Sequence, residues 1–312
     1  IHALGQHDDP EAQATIRELA RSAPHPELRG QALMGFSTAS AREMLPELAD
    51  WARGDLEPVA RHAFGLISRL DGVEHILEEI AREGQLKQLR LHAVQQLTQH
   101  SRADAFPVLA DLLRQESDPQ FQQFLLPQIS RIGTQEALEL LQETYHETGS
   151  RLMQRQILQS LRGFEGSPAA AEAREFALGV AVSATDPEIG RAALAGLSAI
   201  PSDWQNRNEL LIQVAQKANM PYVRAAALEQ LHWKNGPTVA ETETVAQLLR
   251  ESQDPEVQQA AIGVLAQSTE NPAVDVLTEL ARSDVAASIR KRAISALGQM
   301  GTDEAQQALE EI

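Results

Sequence analysis

The side chains best able to bind a ligand recur along this 312-residue sequence between positions 61 and 191. They are mainly arginine, glutamine and histidine. Forked guanidinium and amide groups suit carboxylates and peptide backbone, so the pattern predicts a surface for an acidic or extended polypeptide. The predicted partner-binding residues are Arg61, His62, Arg69, His92, Gln95, Gln99, Phe124, Arg131, Arg155, Gln159, Arg162 and Arg191.

Patterns that would indicate catalysis or metal binding are missing from the sequence. It contains no cysteine, which excludes disulfides, thiolate zinc sites and cysteine nucleophiles. It has neither a Gly-x-Ser-x-Gly elbow nor a glycine-rich phosphate loop. His62 and His92 are spaced like equivalent residues of a repeat, but no third histidine or carboxylate continues the series. We therefore expect no catalytic residue, no metal and no cofactor, and a protein that is not an enzyme.

Composition and charge narrow the class of protein. Aromatic residues make up only 4% of the chain, a composition that favours closely packed helices over a β-sandwich. The net charge of −17 argues against nucleic-acid binding, which usually needs a basic excess. No apolar stretch approaches the ~20 residues that span a bilayer. We expect a soluble protein without membrane insertion, of the cytoplasm or the periplasm.

The elements that position these side chains form an internal repeat. Asp-Pro pairs begin at Asp118, Asp186 and Asp254, each 68 residues after the last, so two repeats of about 34 residues fit between them. Apolar residues then follow at i, i+4 and i+8, which marks one face of an α-helix. The middle residue of this pattern occurs nine times: Ala32, Ala63, Ala93, Leu125, Ile157, Ala193, Ala227, Ala261 and Ala293. Below, each of these is the central residue of its repeat.

Turn chemistry supports two helices in each repeat. The three Asp-Pro pairs place a helix N-cap acceptor before a proline at the first helical position. A first helix with its own apolar stripe precedes each of these second helices. Five glycines follow predicted helices, where a left-handed residue is useful: Gly72, Gly133, Gly166, Gly236 and Gly301.

Segments such as Asp254-Pro255-Glu256-Val257 and Val223-Arg224-Ala225-Ala226-Ala227-Leu228 resemble HEAT-like repeats of the phycobilin-lyase type. The resemblance covers almost the whole chain, and the sequence looks like that of a bacterial protein. It implies an all-α fold, a right-handed α-α superhelix of about nine two-helix repeats of 30–36 residues, with the second helices lining a concave inner surface. It implies little about function, because such repeats occur in scaffolds, adaptors and some enzymes.

Charge is predicted to separate between the two kinds of helix. Thirteen-residue windows over the nine predicted second helices hold thirteen basic and four acidic residues, a net charge of +9. Because the whole chain has a net charge of −17, the residues outside these windows carry a net charge of −26. This split favours a basic concave groove in the second to sixth repeats. An alternative is a structural ladder in which Arg29, Arg90, Arg224 and Arg290 pair with turn aspartates. Pro127 lies inside a second helix, where it indicates a kink or an apolar notch.

The leading functional interpretation is a non-catalytic scaffold or adaptor that binds an acidic or extended polypeptide. A regulatory or accessory domain of a larger enzyme remains open. Di-iron hydroxylases with HEAT-like folds carry repeated His-Glu pairs, whereas this chain has only His146-Glu147 and the reversed Glu74-His75. HEAT-like DNA glycosylase or bilin lyase activity is a remote alternative, because the central arginines lack neighbouring aromatics and no chromophore site is evident.

The two ends of the chain resemble each other. Residues 1–19 align without gaps on residues 294–312 with nine identities. We therefore expect a single array over 1–312 that is cut within a repeat at both ends and belongs to a longer chain. The alternative is end-to-end self-association through uncapped terminal helices.

Overall fold

A computed structural model describes residues 10–199, 204–234 and 236–312, and every regular element in these ranges is a helix. The chain divides into two compact units, Ile1–Ile132 and Gly133–Ile312. None of the helices in the described ranges is long and apolar enough to cross a membrane.

Unit 1 consists of two-helix repeats in which first helices alternate with second helices. The second helices are α2, α5, α7 and α9, and a short extra helix, α3, precedes the first helix α4. In chain order the elements are α1 (Pro10–Ser22), α2 (Pro26–Leu33), α3 (Thr38–Glu43), α4 (Leu45–Arg53), α5 (Glu57–Ile67), α6 (Glu74–Glu83), α7 (Lys87–His100), α8 (Arg102–Gln115) and α9 (Pro119–Ser130).

Unit 2 continues the alternation, and its second helices are α11, α13, α15, α17 and α19. A 3₁₀ turn over Leu161–Phe164 follows α11. The α-helices are α10 (Gln135–Glu147), α11 (Arg151–Ser160), α12 (Ala170–Ser183), α13 (Pro187–Ala199), α14 (Trp204–Lys217), α15 (Pro221–Glu229), α16 (Val239–Glu251), α17 (Pro255–Leu265), α18 (Asn271–Arg282), α19 (Ala287–Met300) and α20 (Asp303–Glu311).

The nine central residues predicted from the repeat all lie inside second helices. Every one of them is 0% exposed, so the predicted apolar face is the packed face. Small residues on these helices allow very close approach. A Cβ on Gly196 of α13 would lie 2.5 Å from the main-chain oxygen of Leu158 in α11, and one on Gly30 of α2 would lie 2.8 Å from that of Pro58 in α5. Alanine and glycine are therefore common here because larger side chains would separate the helices.

The predicted turn chemistry is confirmed in most places. Asp118 accepts a hydrogen bond from the amide of Gln120 at 2.9 Å, and Asp186 accepts one from Glu188 at 2.9 Å. Asp254 stands at the N-cap of α17, but its side chain makes no capping bond. The five glycines predicted to be left-handed are the described residues with positive φ, between 67° and 84°.

One position, three residues before the central residue, links the two helices of several repeats. There Arg29, Arg90 and Arg224 each donate from Nε to a main-chain carbonyl nine residues earlier, at the end of the preceding first helix, over 2.7–2.9 Å. Gln154 bonds the carbonyl of Tyr145 in the same way at 3.2 Å. These bonds satisfy carbonyls that a helix end leaves without an intrahelical partner.

The ladder of arginines with turn aspartates is therefore largely wrong. Arg29 and Arg224 bind main-chain carbonyls, and Arg90 adds an ion pair with Glu116 at 2.7 Å. Of these four arginines, only Arg290 approaches an aspartate within the described ranges, Asp284, at 3.9 Å. Carbonyls serve as partners because the side chain extends back along the repeat toward the end of the first helix.

Candidate functional site

The second-helix face of unit 1 is the surface formed by the outward sides of α5, α7 and α9. It contains the predicted residues His62, His92 and Phe124 at equivalent positions of successive helices. The His62 ring lies 2.6 Å, measured from Nδ1, from the carbonyl oxygen of Pro58 in its own helix. The His92 ring is exposed, with its centroid 6.2 Å from that of Phe64. The two histidines are therefore engaged with neighbouring groups of the chain.

Cationic groups on this face fall into two kinds. Arg61 forms an ion pair with Glu57, one turn earlier on α5, and both side chains are largely exposed. Arg69 and Arg131 are exposed and have no ion-pair partner among the described residues. They follow the C-terminal ends of α5 and α9, where the helix dipole favours positive charge.

A cavity of about 450 Å³ opens where α7 and α9 end. Its lining includes two arginines, and it contains amide and hydroxyl groups but no carboxylate. The guanidinium of Arg102 donates to the main-chain oxygen of Arg131 at 3.3 Å, which holds the two arginines side by side. The lining residues are Gln95, Thr98, Gln99, Arg102, Gln128 and Arg131. Three of these, Gln95, Gln99 and Arg131, were predicted from the sequence.

In unit 2 the predicted cations Arg155 of α11 and Arg191 of α13 share one carboxylate. Glu188 lies 3.4 Å from Arg155 and 3.9 Å from Arg191, so one carboxylate serves both. The guanidinium of Arg191 also stacks on the ring of Tyr222, 5.1 Å from its centroid, and bonds its hydroxyl. Gln159 and Arg162 are exposed and lack a side-chain partner in the described part of unit 2.

A second cavity, of about 350 Å³, lies on the second-helix face of unit 2 along α15 and α17. Sequence reasoning did not identify it. The sequence does contain a signal for this cavity at the position directly before the central residue. That position holds histidine, phenylalanine or glutamine in earlier repeats and alanine in three successive later repeats, at Ala192, Ala226 and Ala260. Those small side chains leave the helix surface shallow, and Tyr222, Glu229 and Glu256 stand at the edge of the depression.

First helices carry much of the acidic charge, and part of it is paired. An arginine near the end of one first helix binds a carboxylate of the next, as Arg82 does with Asp111 at 3.1 Å in unit 1 and Arg250 with Glu279 at 3.2 Å in unit 2. The Arg250–Glu279 pair is exposed to water, where such a pair contributes only about 0.2–1 kcal/mol, whereas Arg82 is half-buried. Much of the first-helix acidity thus lies on a solvated surface.

The pKa values of Glu116 in unit 1 and Tyr145 in unit 2 are shifted by their surroundings. Burial tends to raise the pKa of Glu116, but hydrogen bonds from the Asp118 amide and from Arg90 outweigh it and hold that pKa below the ordinary 4.5. Burial raises the pKa of Tyr145. Its ring contacts His146 and Phe176 edge-on, with centroids 5.3 and 5.4 Å away.

In residues 10–199, 204–234 and 236–312, no three His, Cys, Asp or Glu side chains are grouped as a metal ion would require. Glu74 and His75 are exposed at the start of α6, and His146 and Glu147 are exposed at the end of α10.

Comparison with known proteins identifies the family of this chain but says little about its activity. Solved structures with detectable similarity include human deoxyhypusine hydroxylase, at 16% identity over 84% of this chain and 98% of that one, with a TM-score of 0.35. The phycocyanin lyase complex of CpcE and CpcF from a Nostoc species is 19% identical over 76% and 92%, with a TM-score of 0.32. The TSC2 N-terminus is 12% identical over 97% and 92%, with a TM-score of 0.36. At these values the likenesses carry no functional argument.

No protein of curated function matches the sequence. The family model for HEAT repeats matches residues 74–162 and 242–312. These segments of 89 and 71 residues together make up just over half of the 312-residue chain. This match agrees with the alternating first and second helices of both units. The chain belongs to the HEAT-repeat family.

Proposed function

We propose that the protein is a non-catalytic binding scaffold and that the second-helix face of unit 1 binds an extended, acidic polypeptide segment. The observation that carries the proposal is the cavity of about 450 Å³ lined by Arg102 and Arg131 together with neutral amides and a hydroxyl, without a carboxylate. Arg69 adds a further cation on the same face that has no ion-pair partner in the part of the chain that the structure describes.

The chemistry of the lining suits carboxylates and peptide groups. A guanidinium presents forked donors that match a carboxylate in two places, and glutamine amides can bond a peptide backbone as donor and acceptor. Gln95 and Gln99 lie one helical turn apart on α7, while Gln128 projects from α9. An extended segment crossing these helices would therefore meet donors for its side chains and partners for its backbone.

The expected affinity is modest. Exposed ion pairs contribute about 0.2–1 kcal/mol each, whereas micromolar binding needs about 8 kcal/mol. Several pairs, backbone hydrogen bonds and packing against Phe124 must act together. Binding should weaken as salt concentration rises, because exposed charges are screened.

A direct test measures the fluorescence anisotropy of a fluorescein-labelled sixteen-residue peptide of glutamate and serine added to the full chain. The variant Arg102→Glu/Arg131→Glu should bind at least about tenfold more weakly, since two attractive contacts become repulsive. The control variant Arg42→Glu/Lys217→Glu changes the net charge equally at two exposed positions outside the second helices, in α3 and at the end of α14.

The outcomes separate local recognition from overall charge. Normal binding by the control and loss by the Arg102/Arg131 variant support the proposal. Equal loss in both variants would show that only net charge matters, and unchanged binding in both would remove the unit 1 cavity as the binding site.

A further inference from the structure

The cavity on the second-helix face of unit 2 differs chemically from the one in unit 1. Its inner surface is apolar, and its edge carries carboxylates instead of a surplus of arginines. Ala226, Ala260 and Val264 line the interior, whereas the exposed Glu229 and Glu256 stand on neighbouring helices, α15 and α17. An apolar floor with carboxylates at its rim fits a long aliphatic side chain that ends in a cation.

The repeat provides an internal template for such a cation. The residue two positions before the central residue of one second helix contacts a residue of the next second helix. That second residue lies five positions before the central residue of its own helix. Arg155 on α11 reaches Glu188 on α13 in this way, at 3.4 Å, and Arg191 on α13 reaches Tyr222 on α15. Arg191 also approaches Glu188 on its own helix, at 3.9 Å. Glu188 is thus served by two guanidinium groups.

Glu256 occupies the position of Glu188 two repeats later. The two places that hold arginines around Glu188 hold Ala225 and Gln259 around Glu256. Neither Glu256 nor Glu229 has a side-chain partner among the described residues. Arg292, also at the rim, donates to Gln259 at 3.4 Å. With two carboxylates and one arginine in the lining, the cavity retains one unmatched negative charge.

A glycine keeps this cavity open. Gly263 lies on α17 in its lining, and a Cβ built on it would meet no atom within 4 Å in the described part of the chain, apart from its chain neighbours and the backbone of its own helix. Glycine is among the least favourable residues in a helix interior, and packing does not require it here. The vacant volume next to Gly263 is therefore available to a side chain from another molecule.

We propose that this cavity receives an arginine side chain of a bound polypeptide. Its aliphatic stem covers Ala226 and Ala260, and its guanidinium takes at Glu256 the place that Arg155 and Arg191 take at Glu188. The forked guanidinium matches a carboxylate, and Glu229 stands within the same lining to attract the cation. This proposal concerns unit 2 alone and does not depend on acidic peptide binding by unit 1.

The experiment records amide chemical shifts of the ¹⁵N-labelled full chain during titration with acetyl-Gly-Gly-Arg-Gly-Gly-amide. A second peptide replaces arginine by citrulline, which keeps the shape and removes the charge, and a third carries lysine. The arginine peptide should shift the amides of Gly263 and Ala226 most strongly, with the lysine peptide weaker and the citrulline peptide weakest.

Variants test the individual groups. Glu229→Gln/Glu256→Gln should raise the apparent Kd about fivefold or more, as expected from loss of charge-assisted contacts at an exposed site. Gly263→Leu fills the cavity, and Ala225→Arg supplies the missing arginine from within the chain, so both should abolish the shifts. Gly179→Leu is the matched control, because Gly179 lies in a helix of the same unit, is exposed and also has open space around its Cβ.

The results decide the proposal in either direction. Selective shifts with the arginine peptide that Gly263→Leu removes and Gly179→Leu retains support it. Equal responses to arginine and citrulline peptides, no response at Gly263, or unchanged binding after Glu229→Gln/Glu256→Gln would each overturn it. Binding of the glutamate-serine peptide, measured in parallel, reports on unit 1 and separates the two proposals.

Discussion

Arg90 should be among the most important polar residues for the stability of unit 1. Its Nε donates to the carbonyl of Ala81 at 2.9 Å, and a terminal nitrogen lies 2.7 Å from the carboxylate of Glu116. The guanidinium also stacks on Phe121, 4.1 Å from the ring centroid. The two charged side chains are only 19% and 9% exposed, so water replaces these contacts poorly.

The expected magnitude follows from what Arg90→Met removes. A hydrogen bond from a charged group contributes about 1.5–3 kcal/mol, and removing one partner of a buried pair costs about 3–5 kcal/mol. Because both side chains retain some exposure, we expect a loss at the lower end, about 3 kcal/mol. Arg29→Met is the matched control, since Arg29 makes the same carbonyl bond at 2.9 Å and lies over Trp51 but has no carboxylate partner among the described residues.

Native-state hydrogen exchange measures the effect where it should appear. The amides of Ser117 and Asp118 each donate to Glu116 at 2.9 Å, and α9 begins directly after them. Arg90→Met should lower the opening free energy of this segment by about 2 kcal/mol more than Arg29→Met lowers that of its own repeat. The double variant Arg90→Met/Glu116→Gln should recover part of the loss, because it leaves no unpaired charge. Equal losses for the two arginines would refute the reasoning.

Three further predictions concern acid stability and glycine geometry. Because the folded pKa of Glu116 lies below 4.5, its contribution to stability is present above that pH and is lost as pH falls through the folded pKa. The urea midpoint, followed by circular dichroism, should therefore fall more steeply below pH 4.5 in the wild type than in Glu116→Gln. Gly133→Ala should destabilise more than Gly301→Ala, since both have φ above 60° but only at Gly133 would the new Cβ meet another side chain, Ser167, at 2.7 Å; equal thermal midpoints would contradict this. Gly263→Ala should stabilise by about 0.5–1 kcal/mol, whereas Gly196→Ala should destabilise, because its Cβ would lie 2.5 Å from a main-chain oxygen. Denaturation curves in which both variants shift in one direction would count against the packing argument.

The helical repeat could be predicted from sequence because its signals are local. In the described ranges, apolar residues at i, i+4 and i+8 identified nine second helices, and the position of a glycine after a helix identified the five left-handed residues. The failures are equally specific. Asp254 has the right residue type and position for an N-cap yet makes no capping bond, since side-chain geometry is not fixed by spacing.

The candidate sites were less predictable because they depend on which side chains meet between helices. The sequence marked Gln95, Gln99 and Arg131 as outward-facing, but it did not associate Arg102, which belongs to a first helix, with them. Arg155 and Arg191 were predicted as available cations, whereas both lie near Glu188. That pairing depends on the register between neighbouring second helices, which the pattern within one helix does not specify.

The carbonyl-binding arginines also bear on how such an array can change in length. Each of these bonds joins residues nine apart, Arg29 to Ala20, Arg90 to Ala81 and Arg224 to Ala215, so both ends belong to one repeat. A gene duplication or deletion that adds or removes a whole repeat would carry the bond with it. The array can thus gain or lose whole repeats while the hydrogen bond between the two helices of each remaining repeat is kept.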